Sequence, residues 1–297
     1  VIINRSNLDN LFTAYSAAYQ GALGAYQSQW AQVATEVPSA TKENTYAWLG
    51  KFPKLREWIG DRVLKSIEAD GYRIVNKKFE ATVQVIADDI EDDSHGVYTP
   101  MFAEMGNAAA RHPDEIVFGL LKQGFDAKCY DGQNFFDTDH PVRRNGVEVS
   151  VSNMQAGAGP GWYLLDTSRP LKPMIFQKRR DYRLIRKDDP RTSDAVFDRD
   201  EYQYGVDGRV NAGFGFWQMA FGSKADLDDA NFDAAYDAMT SLKGDQDEPL
   251  GIMPKLLVVP PQLRGKANEV IKVARRANGA DNPNANIVEV LIVPWLA

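Results

Sequence analysis

Phe79-Glu80-Ala81-Thr82-Val83-Gln84-Val85-Ile86, with Tyr98 to Gly124 close behind it, is the stretch on which the fold reading turns. In the first part Phe79, Ala81, Val83 and Val85 alternate with Glu80, Thr82, Gln84 and Ile86, the period of two that marks a strand. In the second, Phe102, Met105, Ala109, Ile116, Val117, Leu120 and Leu121 recur at helical spacing. Pro113 falls inside that run, so the spacing predicts either a kinked helix or a second helix opening on proline. A strand run feeding a long helix within one chain points to an α+β protein.

Upstream, Tyr72-Arg73-Ile74-Val75 and Thr45-Tyr46-Ala47-Trp48-Leu49 read as strands, with Phe52-Pro53 breaking the earlier one. Leu55, Trp58, Ile59 and Arg62 stand at helical intervals between them. Residues 44–93 therefore read as a long hairpin with an elaborated tip. Five cations (Lys51, Lys54, Arg56, Arg62, Lys65) lie near that tip, and Asp88, Asp89, Glu91, Asp92 and Asp93 follow the hairpin. A basic projection and an acidic patch on one chain can pair head to tail between copies, although most charge runs are solvated faces. Further upstream, Ser6 and Asp9 resemble a capping box for a helix carrying Leu8, Leu11, Phe12, Tyr15 and Tyr19. Residues 21–45 offer little to fill a core, so they read as an extended arm on a neighbouring subunit or as a helix packed on their own domain.

Downstream, 145–161 is loop-like, and strands dominate from Trp162 to Phe221, among them Met174-Ile175-Phe176 and Phe214-Gly215-Phe216-Trp217. Phe232, Ala235, Tyr236, Met239 and Leu242 mark one helix ending at Lys243-Gly244. Leu263, Ala267, Val270, Ile271 and Ala274 mark another. Leu256-Leu257-Val258-Val259 and the run from Val288 to Val293 read as buried strands.

Composition excludes several classes. Of the 297 residues, 44% are hydrophobic, and Lys+Arg 34 against Asp+Glu 41 gives a net charge of −7. That balance does not suit a general nucleic-acid coat, which needs clustered cations facing phosphates. The single cysteine, Cys129, excludes an intrachain disulfide. No apolar run approaches the ~20 residues of a membrane span, and the start, polar after Val1-Ile2-Ile3, does not read as a signal peptide.

Chemistry is sparse. Cys129, Asp131, Asp137, Asp139 and His140 could bind a metal, or Cys129 could be a nucleophile served by His140. The spacing matches no zinc pattern, and Asp137 to Pro141 reads equally as a turn. No cofactor motif is found: Gly157-Ala158-Gly159-Pro160-Gly161 lacks the dinucleotide spacing, and Gly222-Ser223-Lys224 lacks P-loop order. Lys178, Arg179, Arg180, Arg183, Arg186, Lys187 and Arg191 offer a surface for nucleic acid, yet Asp181, Asp188 and Asp189 offset them and favour a solvated strand and loop. Neither a catalytic nor a metal site is predicted.

Ordered blocks along the chain resemble the Mu-like phage major head subunit family. They include Trp48-Leu49-Gly50-Lys51-Phe52-Pro53, Glu57-Trp58-Ile59-Gly60, Asn76-Lys77-Lys78-Phe79-Glu80 and Asp88-Asp89-Ile90-Glu91-Asp92-Asp93. Cys129 to Phe136, Asp139-His140-Pro141, Lys172 to Gln177, Gly215-Phe216-Trp217-Gln218 and Val258-Val259-Pro260 continue the series. The resemblance implies the Hong Kong 97 phage type of capsid fold: an N-terminal arm at 1–43, an E-loop hairpin at 44–93, a peripheral domain with a spine helix at 94–224, and an axial domain at 225–297. It implies a structural protein and not an enzyme. Pentamers and hexamers would close an icosahedral shell around double-stranded DNA, made in the bacterial host cytoplasm and ending in the virion. Partners would be further copies, with scaffold, portal and decoration proteins, DNA contacted non-specifically, and no membrane. Intersubunit contact is expected at Trp48, Lys51, Phe52, Lys54, Arg56, Trp58, Ile59 and Arg62, and at Asp88, Asp89, Glu91, Asp92 and Asp93. An encapsulin-like compartment and a hydrolase using Cys129 and His140 are the alternatives.

Overall fold

A computed structural model describes residues 3–47, 49, 71–92, 96–144, 147–189, 191, 193–244, 247–276 and 279–297. Helix α1 (Arg5–Ala25) is capped by Asn4, two residues before the expected cap at Ser6. Asn4 is extended, and its side chain accepts the Asn7 N–H at 2.9 Å, which satisfies one of the donors a helix start leaves open. The buried stripe of α1 is Leu8, Tyr15 and Tyr19. A short α2 (Trp30–Val33) leads into β1 (Ala34–Pro38), then β2 (Glu43–Tyr46), β3 (Tyr72–Val75) and β4 (Lys77–Ile86). Next come α3 (Ala87–Asp92) and the long α4 (Thr99–Lys122).

Helix α4 settles the question posed by Pro113, which sits inside one continuous helix with Pro100 in its first turn. Beside Pro113, the fully buried Asp114 turns its carboxylate on the residues after α1. Tyr26 Oη donates to it at 2.9 Å, and the backbone N–H groups of Gln29 and Trp30 donate at 2.9 and 2.6 Å. Burial raises the Asp114 pKa, and those three donors work against the rise. Helix α1 itself runs against α4, where Gly106 is required: a Cβ there would stand 2.3 Å from the Tyr19 carbonyl oxygen. Residues 21–45 are neither one helix nor wholly extended: they close α1, form α2 and β1 and enter β2. Tyr26 and Trp30 find their polar and aromatic partners on their own chain, Trp30 lying 4.5 Å from Phe176.

After α4 the chain forms β5 (His140–Arg144), β6 (Val147–Val151), β7 (Met154–Gln155), β8 (Trp162–Leu165) and β9 (Met174–Lys187). Then follow α5 (Asp194–Arg199), β10 (Glu201–Phe214), β11 (Ala220–Ser223), α6 (Asp229–Thr240), β12 (Leu256–Val259), α7 (Arg264–Ala267) and β13 (Glu289–Ile292). One sheet has the order β1-β9-β10-β4, with β1 parallel to β9 and the other pairs antiparallel. A second has the order β13-β12-β8-β11-β7. Phe102, Tyr15 and Tyr204 meet between α1, α4 and the first sheet, with Tyr15 and Phe102 rings stacked at 4.0 Å. The larger core, including Trp162, Leu164, Trp217, Phe232 and Leu257, lies around the second sheet.

Several sequence expectations change. Among the described residues the expected hairpin over 44–93 is paired at β2–β3, and β4 leaves it to pair with β10. The expected boundary at 224 cuts the second sheet, which joins 154–165 and 220–223 to 256–259 and 289–292. The loop-like 145–161 contains β6 and β7, and β5–β6 form a hairpin where a turn was expected. Strand β10 ends at Phe214, and Trp217–Met219 is a 3-10 turn. The expected helix at 263–274 is broken into a 3-10 turn, α7 and a π-helical turn (Asn268–Lys272). There the Asn282 side-chain amide donates to the Val270 and Val273 carbonyls, supplying hydrogens that a continued helix would have supplied.

Candidate functional site

Of the expected contact residues, Trp48, Lys51, Phe52, Lys54, Arg56, Trp58, Ile59, Arg62 and Asp93 lie outside the described residues. Strands β2 and β3 pair on either side of the segment that holds Trp48 to Arg62. Tyr46 is opposite Tyr72, and Glu43 is opposite Val75. Tyr46 Oη donates to Gln177 Oε1 at 2.8 Å, and burial pushes its pKa up to about 12. The Gln177 amide donates to Ile74 O and Asn76 Oδ1 at 3.0 and 2.9 Å. The Asn76 amide in turn reaches Ser39 Oγ, Thr41 O and Lys42 O. The hairpin is thus tied to β9 and to the β1–β2 connection by a buried amide chain in which each donor has an acceptor.

Asp88, Asp89, Glu91 and Asp92 lie on α3, all exposed, while Ala87 and Ile90 bury the opposite side. The fold adds acids that sequence spacing did not group with them. Helix α5 brings Asp194 and Asp198 to the same end of the first sheet, because Ala87 N donates to Asp200 O at 2.9 Å. The local signal was Ser193, whose hydroxyl caps α5 by accepting from Val196 N.

The basic run on β9 is mostly paired. Lys178 meets Glu36 at 2.8 Å and Asp181 at 3.0 Å. Arg180 and Arg183 both contact Asp207, the latter at 3.0 Å. Arg186 meets Asp9 at 2.5 Å and Asp188 at 3.2 Å, and stacks over the Phe12 ring at 4.5 Å. Arg191 meets Asp189 at 3.2 Å. The reading of this run as a paired, solvated strand fits better than a nucleic-acid grip.

The five-residue cluster around Cys129 separates into two parts. Asp137 accepts from the backbone of Asn134 and Thr138, and Asp139 accepts from Ser150 Oγ, so both serve local turns. Cys129, Asp131 and His140 do come together. Asp131 Oδ1 accepts from Cys129 Sγ at 3.1 Å, while Asp131 Oδ2 faces His140 Nδ1 at 2.7 Å. His140 Nε2 faces Asn153 Oδ1 at 3.2 Å, and its ring stacks on Trp217 at 4.0 Å. The Asn153 amide hydrogens go to the carbonyls of Phe135, Trp217 and Ala220. Burial, reinforced by the adjacent Asp131, raises the Cys129 pKa. Burial would also raise that of Asp131, but hydrogen bonds from His140 and Cys129 outweigh it and hold the carboxyl below its ordinary value. The thiol is buried, protonated and bonded to a carboxylate, which is the reverse of what a nucleophile needs. Each atom that could ligate a metal is already engaged in a hydrogen bond.

The sequence profile of the family described as Mu-like prophage major head subunit gpT matches residues 8–296. This chain belongs to that family. It is 44% identical over 289 residues to the major capsid protein of Escherichia phage Mu, covering 94% of this chain and 93% of that protein. It is 46% identical over 275 residues to the Mu-like prophage FluMu major head subunit of Haemophilus influenzae, covering 90% and 89%. Among solved structures, the procapsid of bacteriophage JBD30 superposes with a TM-score of 0.87 at 53% identity, covering 99% of this chain and 100% of that one. The JBD30 capsid gives 0.79 at 42% identity, with 100% of both chains covered. The fold is accordingly the Hong Kong 97 phage-type capsid fold. The protein is a major capsid protein of Mu-like type, and copies of it build a viral shell.

Proposed function

We propose that copies of this chain assemble through pentamers and hexamers into an icosahedral shell enclosing double-stranded DNA, and that they catalyse no reaction. The observation that carries this reading is the hairpin root. A buried chain of hydrogen bonds through Tyr46, Gln177 and Asn76 anchors a segment whose sequence holds Trp48, Phe52, Trp58 and Ile59. In this reading those large apolar groups find burial against another copy. Lys51, Lys54, Arg56 and Arg62 supply register there. Asp88, Asp89, Glu91, Asp92 and Asp93 form the second contact region. The amide chain supports this by giving the projection a rigid base. The buried, hydrogen-bonded Cys129 supports the absence of a hydrolase.

Scaffold and portal proteins join assembly in this reading. The JBD30 capsid has been solved decorated with minor capsid protein trimers, and decoration of this shell is part of the same reading. An encapsulin-like compartment would use the same lattice for protein cargo. Negative-stain microscopy of the expressed protein, with the nucleic-acid content of purified particles, is the test. Rings, tubes or shells are expected from the intact chain, and about tenfold fewer from a Trp58→Ala/Ile59→Ala variant. A folded protein that stays monomeric under every assembly condition would overturn the proposal.

A further inference from the structure

The first sheet carries a row of cations that is invisible in the linear sequence. Across β4 and β10, Lys78 is paired with Arg209, and across β10 and β9, Arg209 is paired with Arg180. Directly opposed residues project from the same side of a sheet, about 5 Å apart, and like charges in such positions destabilise it. Asp207 relieves Arg180 and Arg183. Glu80, opposite Asp207, adds one more negative charge to this face. Asp207 also attracts Lys78 at longer range, yet among the described residues neither Lys78 nor Arg209 has a carboxylate within ion-pair distance, nor do the neighbouring Lys77 and Arg179. Lys78, Arg209, Arg180 and Arg183 outnumber Asp207 and Glu80, so this end of the sheet keeps a net positive charge.

The other end is acidic. Ile86 is opposite Glu201, so α3, which follows β4, and α5, which precedes β10, both sit there. Asp88, Asp89, Asp92, Asp194 and Asp198 are exposed, without an ion-pair partner among the described residues. The nearby cations are mostly engaged: Arg199 with Glu201, Arg191 with Asp189, and Arg5 and Arg186 with Asp9 and Asp188. Lys187 is the exposed exception. The ten residues of β4 span roughly 30 Å. Charges that far apart are screened from each other at physiological salt, where the Debye length is about 8 Å. The two ends cannot neutralise one another within one chain.

We infer that the cationic row Lys78–Arg209 receives the acidic α3–α5 end of a second copy, head to tail. The inference rests on the shell reading above and assigns its acidic contact region a partner surface. A second copy satisfies both unmatched ends at once, whereas nucleic acid would answer the cations and leave the acids unmatched. Such a contact joins two different patches, the geometry that generates closed rings when the rotation is right.

Charge exchange tests it. One variant carries Lys78→Glu with Arg209→Glu, a second carries Asp88→Lys with Asp92→Lys, and a third carries all four. Particle yield is read by sedimentation and microscopy, with melting of the unassembled protein as the folding control. Each two-site variant should give about tenfold fewer particles than the unaltered chain, and the four-site chain should recover to within about twofold. The inference is overturned if the four-site chain is as defective as its parents, or if all four chains assemble alike. It is also overturned if the Lys78→Glu/Arg209→Glu shells form normally but retain less DNA, since the row would then face nucleic acid. Absence of particles from the unaltered chain would overturn the shell reading itself, and this inference with it.

Discussion

Two groups of ionisable side chains behave in opposite ways. Around His140, a buried thiol, imidazole and amide meet the half-buried Asp131 carboxylate, and each is answered by a neighbour. Along Lys78 and Arg209, like charges sit side by side, without a close ion pair among the described residues and with only the longer-range attraction of Asp207 to Lys78. The comparison separates polar residues that hold the fold from polar residues left over for other molecules. A buried polar network is costly unless complete, so the first group must close on itself. An exposed charge costs little alone, so the second group can wait for a partner.

Breaking the closed group should have the largest effect on stability. His140→Ala leaves the Asp131 carboxylate buried without its main donor and opens a space beside Trp217. A loss of about 3–5 kcal/mol is expected in chemical denaturation. A loss under about 1 kcal/mol would show that the network is not structural. Asp131→Asn should cost about 2 kcal/mol near neutral pH, and the acid limb sharpens the test. The folded carboxyl titrates below its ordinary value of 3.8. Its contribution is therefore complete above that value and drains away as pH falls through the lower folded pKa. The gap between unaltered protein and Asn variant should narrow below pH 3.8; a gap constant down to pH 2 would refute the linkage. Cys129→Ser keeps a donor to Asp131 and should cost about 1 kcal/mol with particle yield unchanged; lost assembly would give the thiol a role that its burial argues against. Smallest of all, Lys78→Glu with Arg209→Glu should move the melting of unassembled protein by no more than about 0.5 kcal/mol equivalent. A larger change would place the row among the residues that hold the fold.

Much of the architecture was readable from local pattern. The alternation at Phe79–Ile86 became β4, the helical spacing from Phe102 to Leu121 became α4, and Leu256–Val259 became β12. The acids at 88–92 were recognised as a surface feature and are one, on α3. What could not be read was partnership. Nothing near Trp162 indicates that β8 pairs with strands from both sides of residue 224, because strand choice is decided by core packing between distant segments. The Cys129 group looked like chemistry in sequence because residue types were visible while burial and bond direction were not. Lys78 and Arg209 are 131 positions apart in numbering, and only register puts them together.

The sequence by itself determined the kinds of elements, the family to which they belong and the absence of any recognisable catalytic motif. Those properties rest on residue type and short-range period, which a linear chain carries directly. Only the tertiary structure decided that the N-terminal helix lies on α4, that His140 is locked away from any substrate, and that cations and acids occupy opposite ends of one sheet. Each of those depends on pairing register and on burial, which are relations between segments remote along the chain.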